Sequence, residues 1–155
     1  MDVVALQDRF APEGRCFGCG PANERGLRIK SYPDGDELVA TWTPESHHEA
    51  LEGVLNGGII GSLLDCHSNW TAAYQLMRKN GLDSIPSTVT ASYSVQMLRP
   101  TPTRDGPITL RARVVEASDD RATVDATLEA GGKVCATSRA TFVAVKPGHP
   151  AYGRW

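Results

Sequence analysis

A single long helical pattern in the middle of the chain constrains the fold more than any other feature. Asn56 is a preferred N-cap residue, and Arg78 and Lys79 suit the negative end of a helix dipole. Gly81 is a typical terminator after the last turn. The pattern predicts a helix of about 20 residues, long against the usual mean of about 11–12 and therefore the central element. The bulky residues that recur within it at helical spacing are Ile60, Leu63, Leu64, His67, Trp70, Tyr74 and Met77.

Beyond Pro86 the apolar period changes from 3.6 to 2, which is typical of strands with one buried face. The connections at 115–121 and 129–133 are short, so the strands that they join must be antiparallel neighbours. The pattern predicts a meander of three or four strands. The alternating segments span residues 88–97, 108–114, 122–128 and 134–144.

Upstream of the helix, glycines and prolines interrupt the chain and discourage long regular elements. Residues 27–31 and 37–43 predict one hairpin around the turn Pro33-Asp34-Gly35. Irregular structure is predicted for residues 1–26, 44–55 and 147–155.

Together these elements predict an α+β fold in which a long central helix packs on an antiparallel β-sheet. The length of 155 residues corresponds to a single domain that spans residues 1–155. One helix covers only part of one sheet face. We therefore expect a homodimer, or a tetramer built from two dimers, in which two sheets join and bury the remainder.

Composition and charge exclude several classes of function. The net charge of −2 provides no basic field that would attract nucleic acid or an anionic membrane surface. The longest uncharged stretch through the apolar centre, residues 53–64, is too short to span a bilayer. Asp2 and Asp8 interrupt the N-terminus, where a signal peptide would need an apolar run. We therefore expect a cytoplasmic protein whose four cysteines are reduced thiols.

Two glycines open the predicted helix and suggest a chemical site. Gly57 and Gly58 cost about 1 kcal/mol each relative to Ala, which suggests that another group approaches the backbone there. Unpaired N–H groups at a helix N-terminus suit a developing oxyanion or a polarised carbonyl. A flexible loop end or tight helix packing explains the two glycines equally well.

Asp65 is the only acid inside the predicted helix. Partial burial would raise its pKa towards that of a useful base, whereas a solvated surface carboxylate would have no chemical role. His67 lies on the bulky face of the helix and is interpreted as a packed core residue. The small or polar stripe that leaves room for a ligand around Asp65 consists of Gly58, Gly61, Ser68, Asn69 and Ala72.

Cys16 and Cys19 form a C-x-x-C, the spacing of half a zinc site or of a redox pair. Structural zinc normally needs a second ligand pair, and Cys66 and Cys135 stand alone in the predicted helix and the last predicted strand. We therefore expect a local loop with buried thiols, no metal site and no disulfide. The chain contains neither a G-x-S-x-G nucleophile elbow nor a glycine-rich nucleotide loop.

The segment Gly53-Val-Leu-Asn-Gly-Gly-Ile-Ile-Gly-Ser-Leu-Leu-Asp65 resembles the signature of hotdog-fold acyl-CoA thioesterases of the phenylacetic-acid-degradation type. That family typically has G-x-x-H-G-G with an acidic residue six or seven positions after the second glycine, and Asp65 is seven positions after Gly58. The resemblance covers residues 16 to 146. It includes Cys16-Phe-Gly-Cys-Gly20, Asn23, Gly26-Leu27 and the strand that ends Met97-Leu-Arg-Pro100.

The resemblance implies a hotdog fold, in which an antiparallel sheet wraps a long helix, and hydrolysis of an acyl-CoA thioester. It implies that Asp65 is the nucleophile or general base, and that the Gly58 N–H of a second subunit polarises the thioester carbonyl. Thr90 matches a position that orients the attacking water, and Asn69 is a further candidate for that role. No cofactor is implied, since coenzyme A is part of the substrate.

Substrate contacts are predicted at Gly57, Ser68, Asn69 and Arg99. Contacts to the coenzyme A phosphates are expected from some of five arginines in the second half of the chain, and the sequence does not choose among them. Each of the five is individually explained as a solvated surface charge. They are Arg99, Arg104, Arg111, Arg113 and Arg139.

Two positions depart from the family pattern. Asn56 replaces the family's His, and Ala50 replaces an Asn that many members carry six residues earlier. Asn56 can still donate a hydrogen bond and is therefore included among the catalytic candidates, although a plain helix cap is an equally adequate role. The alternative function is a non-catalytic acyl-CoA binding or sensing domain on the same fold. A hotdog dehydratase is disfavoured, because the chain has no D-x-x-x-x-H pair.

Overall fold

The computed structural model describes residues 3–153, in which one long helix packs on a sheet. The first two and last two residues of the predicted domain, and of its irregular ends, lie outside the described residues. In chain order the elements are α1 (Leu6–Phe10), β1 (Ser31–Asp34), β2 (Glu37–Trp42), β3 (Glu49–Leu51), β4 (Val54–Leu55), α2 (Gly57–Lys79), β5 (Thr88–Met97), β6 (Ile108–Ala117), β7 (Arg121–Ala130) and β8 (Lys133–Ala144).

The predicted central helix is confirmed as α2, which has 23 residues. Asn56 caps its first turn, since the Asn56 side chain accepts a hydrogen bond from the Ile59 N–H at 3.1 Å. After the last turn, Gly81 has a φ of +64°, a left-handed conformation that glycine adopts without steric cost. Neither helix of the described part of the chain combines the length and the apolar character needed to cross a membrane.

Six strands form one antiparallel sheet in the order β1-β2-β6-β7-β8-β5. β6, β7 and β8 are the predicted meander of consecutive neighbours. The first of the four predicted strands, β5, does not lie beside β6. It pairs with β8 and forms one edge of the sheet. Period-2 alternation shows which face of a strand is buried, and it carries no information about which strand lies alongside.

α2 packs across one face of this sheet, and the core lies between them. Along β7, Ala122, Val124, Ala126 and Leu128 are buried while the residues between them are partly exposed, which is the predicted alternation. The large buried side chains that α2 contributes to the core include Leu63, Leu64, His67, Trp70 and Leu76.

A buried polar network ties the N-terminal segment and the first hairpin to α2. His67 is fully buried, and both of its ring nitrogens are hydrogen-bonded. Its Nε2 lies 2.8 Å from Leu38 O and must donate, because a carbonyl only accepts. The Nδ1 of this neutral ring therefore accepts a hydrogen bond from Ser31 Oγ at 2.8 Å. Gln7 exchanges two further hydrogen bonds with Ser31, at 2.9 and 2.8 Å. Burial lowers the pKa of His67 to about 4, so the ring is neutral near pH 7. The prediction of a packed core histidine is confirmed.

The segments upstream of α2 differ from the sequence-based expectations in three places. The irregular stretch expected over residues 1–26 contains the short helix α1. The loop expected over residues 44–55 contains a 3-10 helix at Ser46–His48 and the two-stranded ladder of β3 and β4. The hairpin forms, but its first strand is Ser31–Asp34 instead of residues 27–31, and its turn is at Gly35 and Asp36 instead of Pro33-Asp34-Gly35.

The displaced start of β1 has a physical cause in the N-terminal segment. The Leu27 N–H donates to Phe17 O at 2.7 Å, and the Ile29 N–H donates to Gly18 O at 3.1 Å. The backbone between Leu27 and β1 is therefore hydrogen-bonded to the C-x-x-C loop instead of β2. Pro33 is tolerated inside β1 because β1 is an edge strand of the sheet. An edge strand pairs on one side only, so the missing N–H of a proline can lie on the unpaired side.

Candidate active site on helix α2

Asp65 lies in the middle of α2 and is held by a strand of the sheet. The Thr90 hydroxyl on β5 donates to Asp65 Oδ1 at 2.9 Å. Asp65 Oδ2 accepts no hydrogen bond from any group within residues 3–153. The protein therefore orients one carboxylate oxygen and leaves the other available to a water molecule or a ligand.

An irregularity in β5 lies next to Thr90. The pairing of β5 with β8 shifts register between Thr90 and Ser92, so Ala91 is an extra residue in the strand. A bulge of this kind bends a strand and re-aims the side chains beside it. The bulge lies at the point where the strand contacts Asp65.

Asp65 lines a pocket of about 320 Å³ between α2, β5 and the N-terminal segment. Burial raises the pKa of the Asp65 carboxyl, the Thr90 hydrogen bond acts in the opposite direction, and Cys16 adds a smaller rise. A half-buried carboxylate with a raised pKa is a suitable general base. Arg15, Cys66 and Thr88 are among the other residues that line this pocket.

Asn69 also faces this pocket, but much of its amide is already engaged. The Thr88 hydroxyl donates to Asn69 Oδ1 at 2.6 Å, and Asn69 Nδ2 donates to Thr88 O at 3.4 Å. This exchange anchors the start of β5 to α2 and leaves one amide hydrogen of Asn69 for a ligand. The sequence analysis missed Thr88, because nothing in the local pattern distinguishes it from the other threonines of the strand.

A second group of predicted site residues lies at the start of α2. A Cβ on Gly58 would lie 3.0 Å from Asn56 Oδ1, so the absence of a side chain at Gly58 makes room for the capping amide. A Cβ on Gly57 would lie 3.7 Å from Met97 Cε, an ordinary contact. The Gly58 N–H donates to no acceptor within residues 3–153 and is exposed.

α2 and β5 run side by side, and this arrangement separates the two groups. Thr90 lies beside Asp65 in the middle of the helix, whereas Met97 lies beside Gly57 at its start. Gly58 and Asp65 are seven residues apart, or about 10 Å along the helix axis. A single chain therefore cannot place both groups on one carbonyl.

The remaining predicted substrate contacts have different environments. The expectation that the small-residue stripe is open is wrong at Gly61, Ser68 and Ala72, which are buried, since small residues allow neighbouring elements to pack closely on a helix. Ser68 does not line the pocket. Arg99 is exposed, its Nε donates to Val134 O at 3.2 Å, and it forms no ion pair within the described residues.

A cluster of thiols that the sequence analysis missed lines the same pocket. Cys66 does not stand alone on α2, because its sulfur lies 3.6 Å from that of Cys16 and the sulfur of Cys19 completes the group. Hydrogen bonds from the Cys19 and Cys66 side chains, together with backbone N–H donors, hold the pKa of the Cys16 thiol well below its usual range. The sequence analysis missed this contact because Cys16 and Cys66 are fifty residues apart, and no spacing rule relates cysteines at that distance.

A larger depression, of about 470 Å³, lies on the sheet face opposite α2. Charged residues in this depression form ion pairs with one another. The Arg139 guanidinium, for example, donates two hydrogen bonds to the Asp125 carboxylate, at 2.7 and 2.8 Å. Arg139 lowers the pKa of the Asp125 carboxyl, which makes that group a poor base. The pocket beside Asp65 is therefore the candidate active site.

Comparisons with solved structures identify the class of fold. A thioesterase superfamily protein from Shewanella loihica PV-4 has 28% identity and a TM-score of 0.66, over 81% of this chain and 98% of that chain. A phenylacetic acid degradation-related protein from Ralstonia eutropha JMP134 has 20% identity and a TM-score of 0.67, over 90% and 98%. A protein from Shewanella oneidensis related to the thioesterase superfamily has 19% identity and a TM-score of 0.65, over 77% and 84%. No protein-family model and no curated protein matches the chain.

The structural neighbours are therefore thioesterase-superfamily proteins, and one of them is related to phenylacetic acid degradation, as the resemblance in the sequence predicts. The long helix packed on a six-stranded antiparallel sheet is the hotdog fold of these neighbours. The predicted α+β hotdog fold of the single chain is confirmed, and the joining of two sheets in a homodimer stays a prediction.

Proposed function

We propose that this protein is a thioesterase that hydrolyses acyl-CoA to a free acid and coenzyme A, with Asp65 as the central catalytic residue. The proposal depends above all on the Asp65 carboxylate, which is half-buried, held at one oxygen by Thr90 and exposed to the pocket at the other. The fold shared with thioesterase-superfamily proteins supports the reaction class. Residues 1–155 act as one domain, and coenzyme A is part of the substrate.

In the reaction, Asp65 Oδ2 accepts a proton from a water molecule while the water oxygen attacks the thioester carbonyl carbon. The new C–O bond produces an oxyanion, and the collapse of that oxyanion breaks the C–S bond. The sulfur of coenzyme A leaves with the electron pair and takes up the proton that Asp65 accepted. Thr90 is a positioning residue in this scheme, because it acts on the substrate only through Asp65.

A second route uses Asp65 as the nucleophile. The carboxylate then forms an anhydride with the acyl group, coenzyme A leaves, and water hydrolyses the anhydride. A single turnover in ¹⁸O-labelled water separates the two routes. ¹⁸O found in Asp65 by mass spectrometry indicates an anhydride that water opens at the Asp65 carbonyl, whereas direct attack by water places ¹⁸O in the released acid and none in Asp65.

The site that we propose is completed by a second copy of the chain. The Gly58 N–H lies about 10 Å along α2 from Asp65, too far to bind the oxyanion that Asp65 generates in the same chain. β5 is an edge strand of ten residues, most of them exposed, and such an edge is a template for pairing with another strand. Pairing of two β5 edges would join the sheets of a homodimer and bring the start of one α2 towards Asp65 of the other.

Arg99 is the proposed contact for the phosphates of coenzyme A. It follows Met97, whose side chain lies beside Gly57, so Arg99 comes from the same end of the site as the Gly58 N–H. Its guanidinium is exposed and free of acidic partners in the described part of the chain. A guanidinium suits phosphate because it offers two parallel N–H donors.

The proposal is tested by measuring coenzyme A release from a panel of acyl-CoA compounds with aliphatic and aromatic acyl groups. A thioesterase turns over at least one of them many times and releases acid and thiol in equal amounts. Asp36→Asn, which changes an exposed carboxylate in the β1–β2 turn, is the control and keeps the wild-type rate. Binding of an acyl-CoA without turnover would contradict hydrolysis and identify a non-catalytic acyl-CoA binding domain, the function that the departures at Asn56 and Ala50 favour.

A further inference from the structure

Three cysteine sulfurs from two distant parts of the chain meet beside α2. Cys16 and Cys19 come from the loop that follows α1, and Cys66 comes from the helix. All three sulfur atoms lie within 4.8 Å of one another, and those of Cys16 and Cys66 are 3.6 Å apart. The premise that Cys66 stands alone, from which the sequence predicted no metal site, is therefore wrong.

The separation of the sulfur atoms is that of reduced cysteines close enough to share a metal ion. A disulfide requires sulfur atoms about 2.05 Å apart. Two thiolates on one tetrahedral zinc ion, each about 2.3 Å from the metal, are roughly 3.8 Å apart. The Cys16 and Cys66 sulfurs, which are hydrogen-bonded at 3.6 Å, therefore need little movement to bind one zinc ion.

Glycine is required at one position of this loop for the cluster to form. A Cβ on Gly18 would overlap the Cys66 sulfur, so a side chain at that position would either turn this sulfur out of the cluster or push the loop away from α2. The Gly20 N–H donates to Cys16 O at 2.8 Å and closes the turn. The C-x-x-C-G loop thus has the backbone shape needed to bring its two sulfurs to the third.

We propose that Cys16, Cys19 and Cys66 bind one zinc ion as thiolates, in a site that fastens the N-terminal segment to α2 next to Asp65. Binding releases the three thiol protons. Zinc prefers four tetrahedral ligands, and the pocket that the three cysteines line leaves space for a water molecule as the fourth. The site does not depend on the proposed hydrolysis, because no step of that reaction uses the metal.

The first test is the metal content of the untagged full-length protein, purified under reducing conditions and measured by plasma mass spectrometry. We expect about one zinc per chain in the wild type and less than about a tenth of that in Cys19→Ala and Cys66→Ala. Cys135→Ala is the matched control, since Cys135 lies buried in β8 outside the cluster, and it keeps the metal.

The second test uses wild-type protein and does not require any variant to fold. After chelation and removal of zinc, cobalt(II) is titrated into the reduced protein. Saturation at one ion per chain, with thiolate-to-cobalt charge-transfer bands and the visible absorption of tetrahedral cobalt, is the expected result. Zinc then displaces cobalt and protects three of the four cysteines from alkylation.

Three results would overturn the proposal. The first is a reduced wild-type protein that holds no zinc and shows no cobalt–thiolate absorption. The second is a Cys66→Ala variant that keeps the metal, because the ion would then be bound elsewhere. The third is a disulfide that joins Cys16 to Cys66 or Cys19 in the protein isolated from cells, because it would identify a redox pair in place of a metal site.

Discussion

The hydroxyl of Thr90 donates to Oδ1 of Asp65 at 2.9 Å and joins the edge strand β5 to the middle of α2. Because a hydroxyl donates only one hydrogen, Thr90 fixes the rotation of the carboxylate without occupying its second oxygen. Thr90, twenty-five positions away in the chain, thus orients Asp65 Oδ2, the oxygen that can accept a proton from a water molecule.

Replacement of Thr90 tests this positioning. Thr90→Val keeps the branched shape and removes the donor, so kcat should fall about tenfold, which corresponds to about 1.4 kcal/mol of barrier, while KM changes little. Thr90→Ser restores the donor and most of the rate. Thr137→Val, on the sheet face away from α2, is the control, and an equal loss there would show that the effect is not specific to Asp65.

Asn56 should act as a helix cap. Asn56→Ala removes the acceptor for the Ile59 N–H and should lower the free energy of unfolding by about 1 kcal/mol, with turnover within a few-fold of wild type. Asn56→Ser keeps a capping oxygen and should recover the stability, as measured by denaturant unfolding. A large loss of turnover without loss of stability would instead place Asn56 in contact with the substrate.

The buried network around Ser31 should stabilise the fold without affecting catalysis. Ser31→Ala removes the hydroxyl that bonds to Gln7 and His67 and leaves buried polar groups unpaired, so it should lower the free energy of unfolding by about 1–3 kcal/mol. Ser118→Ala, in an exposed turn, should change it by less than about 0.5 kcal/mol. Equal values for the two variants would show that the network contributes nothing to stability.

Assembly and the shared site can be tested together. We expect a mass of at least twice the 16.7 kDa of one chain by light scattering at micromolar concentration. Gly58→Pro removes the proposed oxyanion donor in the first helical turn and should inactivate the protein while leaving the dimer intact. Gly58→Ala is the control, because it crowds the Asn56 side-chain oxygen in the same way but keeps the N–H, and it should retain activity.

Mixed dimers then separate a shared site from one within a single chain. When inactive Gly58→Pro and inactive Asp65→Asn chains are unfolded and refolded together, half of the dimers are mixed, and each has one intact site. Activity should therefore return to about a quarter of the wild-type value. An active monomer, or no recovery in the mixture, would contradict a site built from two chains.

Local patterns were sufficient to predict the parts of the fold that depend on nearby residues. The ends of α2 follow from the cap at Asn56 and the left-handed Gly81, and the bounds of β5 follow from its alternation. The strand order did not follow, because alternation at β5 is the same whether the strand pairs with β6 or β8.

The contacts within the candidate site required the three-dimensional structure. Asp65 stood out as the only acid of its helix, but its hydrogen bond to Thr90 depends on where β5 lies in the sheet. The meeting of Cys16 with Cys66 depends on a loop that approaches α2 at Gly18, where a side chain would overlap the Cys66 sulfur. Such contacts leave no periodic signal in the sequence.

The most direct test of the account is the rate of coenzyme A release by Asp65→Asn, measured on the acyl-CoA that wild type hydrolyses best. The amide keeps the size and the helix position of the side chain but can serve neither as base nor as nucleophile. We expect kcat to fall on the order of 10²–10⁴-fold, the usual contribution of a positioned base, with substrate affinity within a few-fold of wild type. Turnover equal to that of wild type, in a folded Asp65→Asn protein with an unchanged mass, would contradict the catalytic role of Asp65.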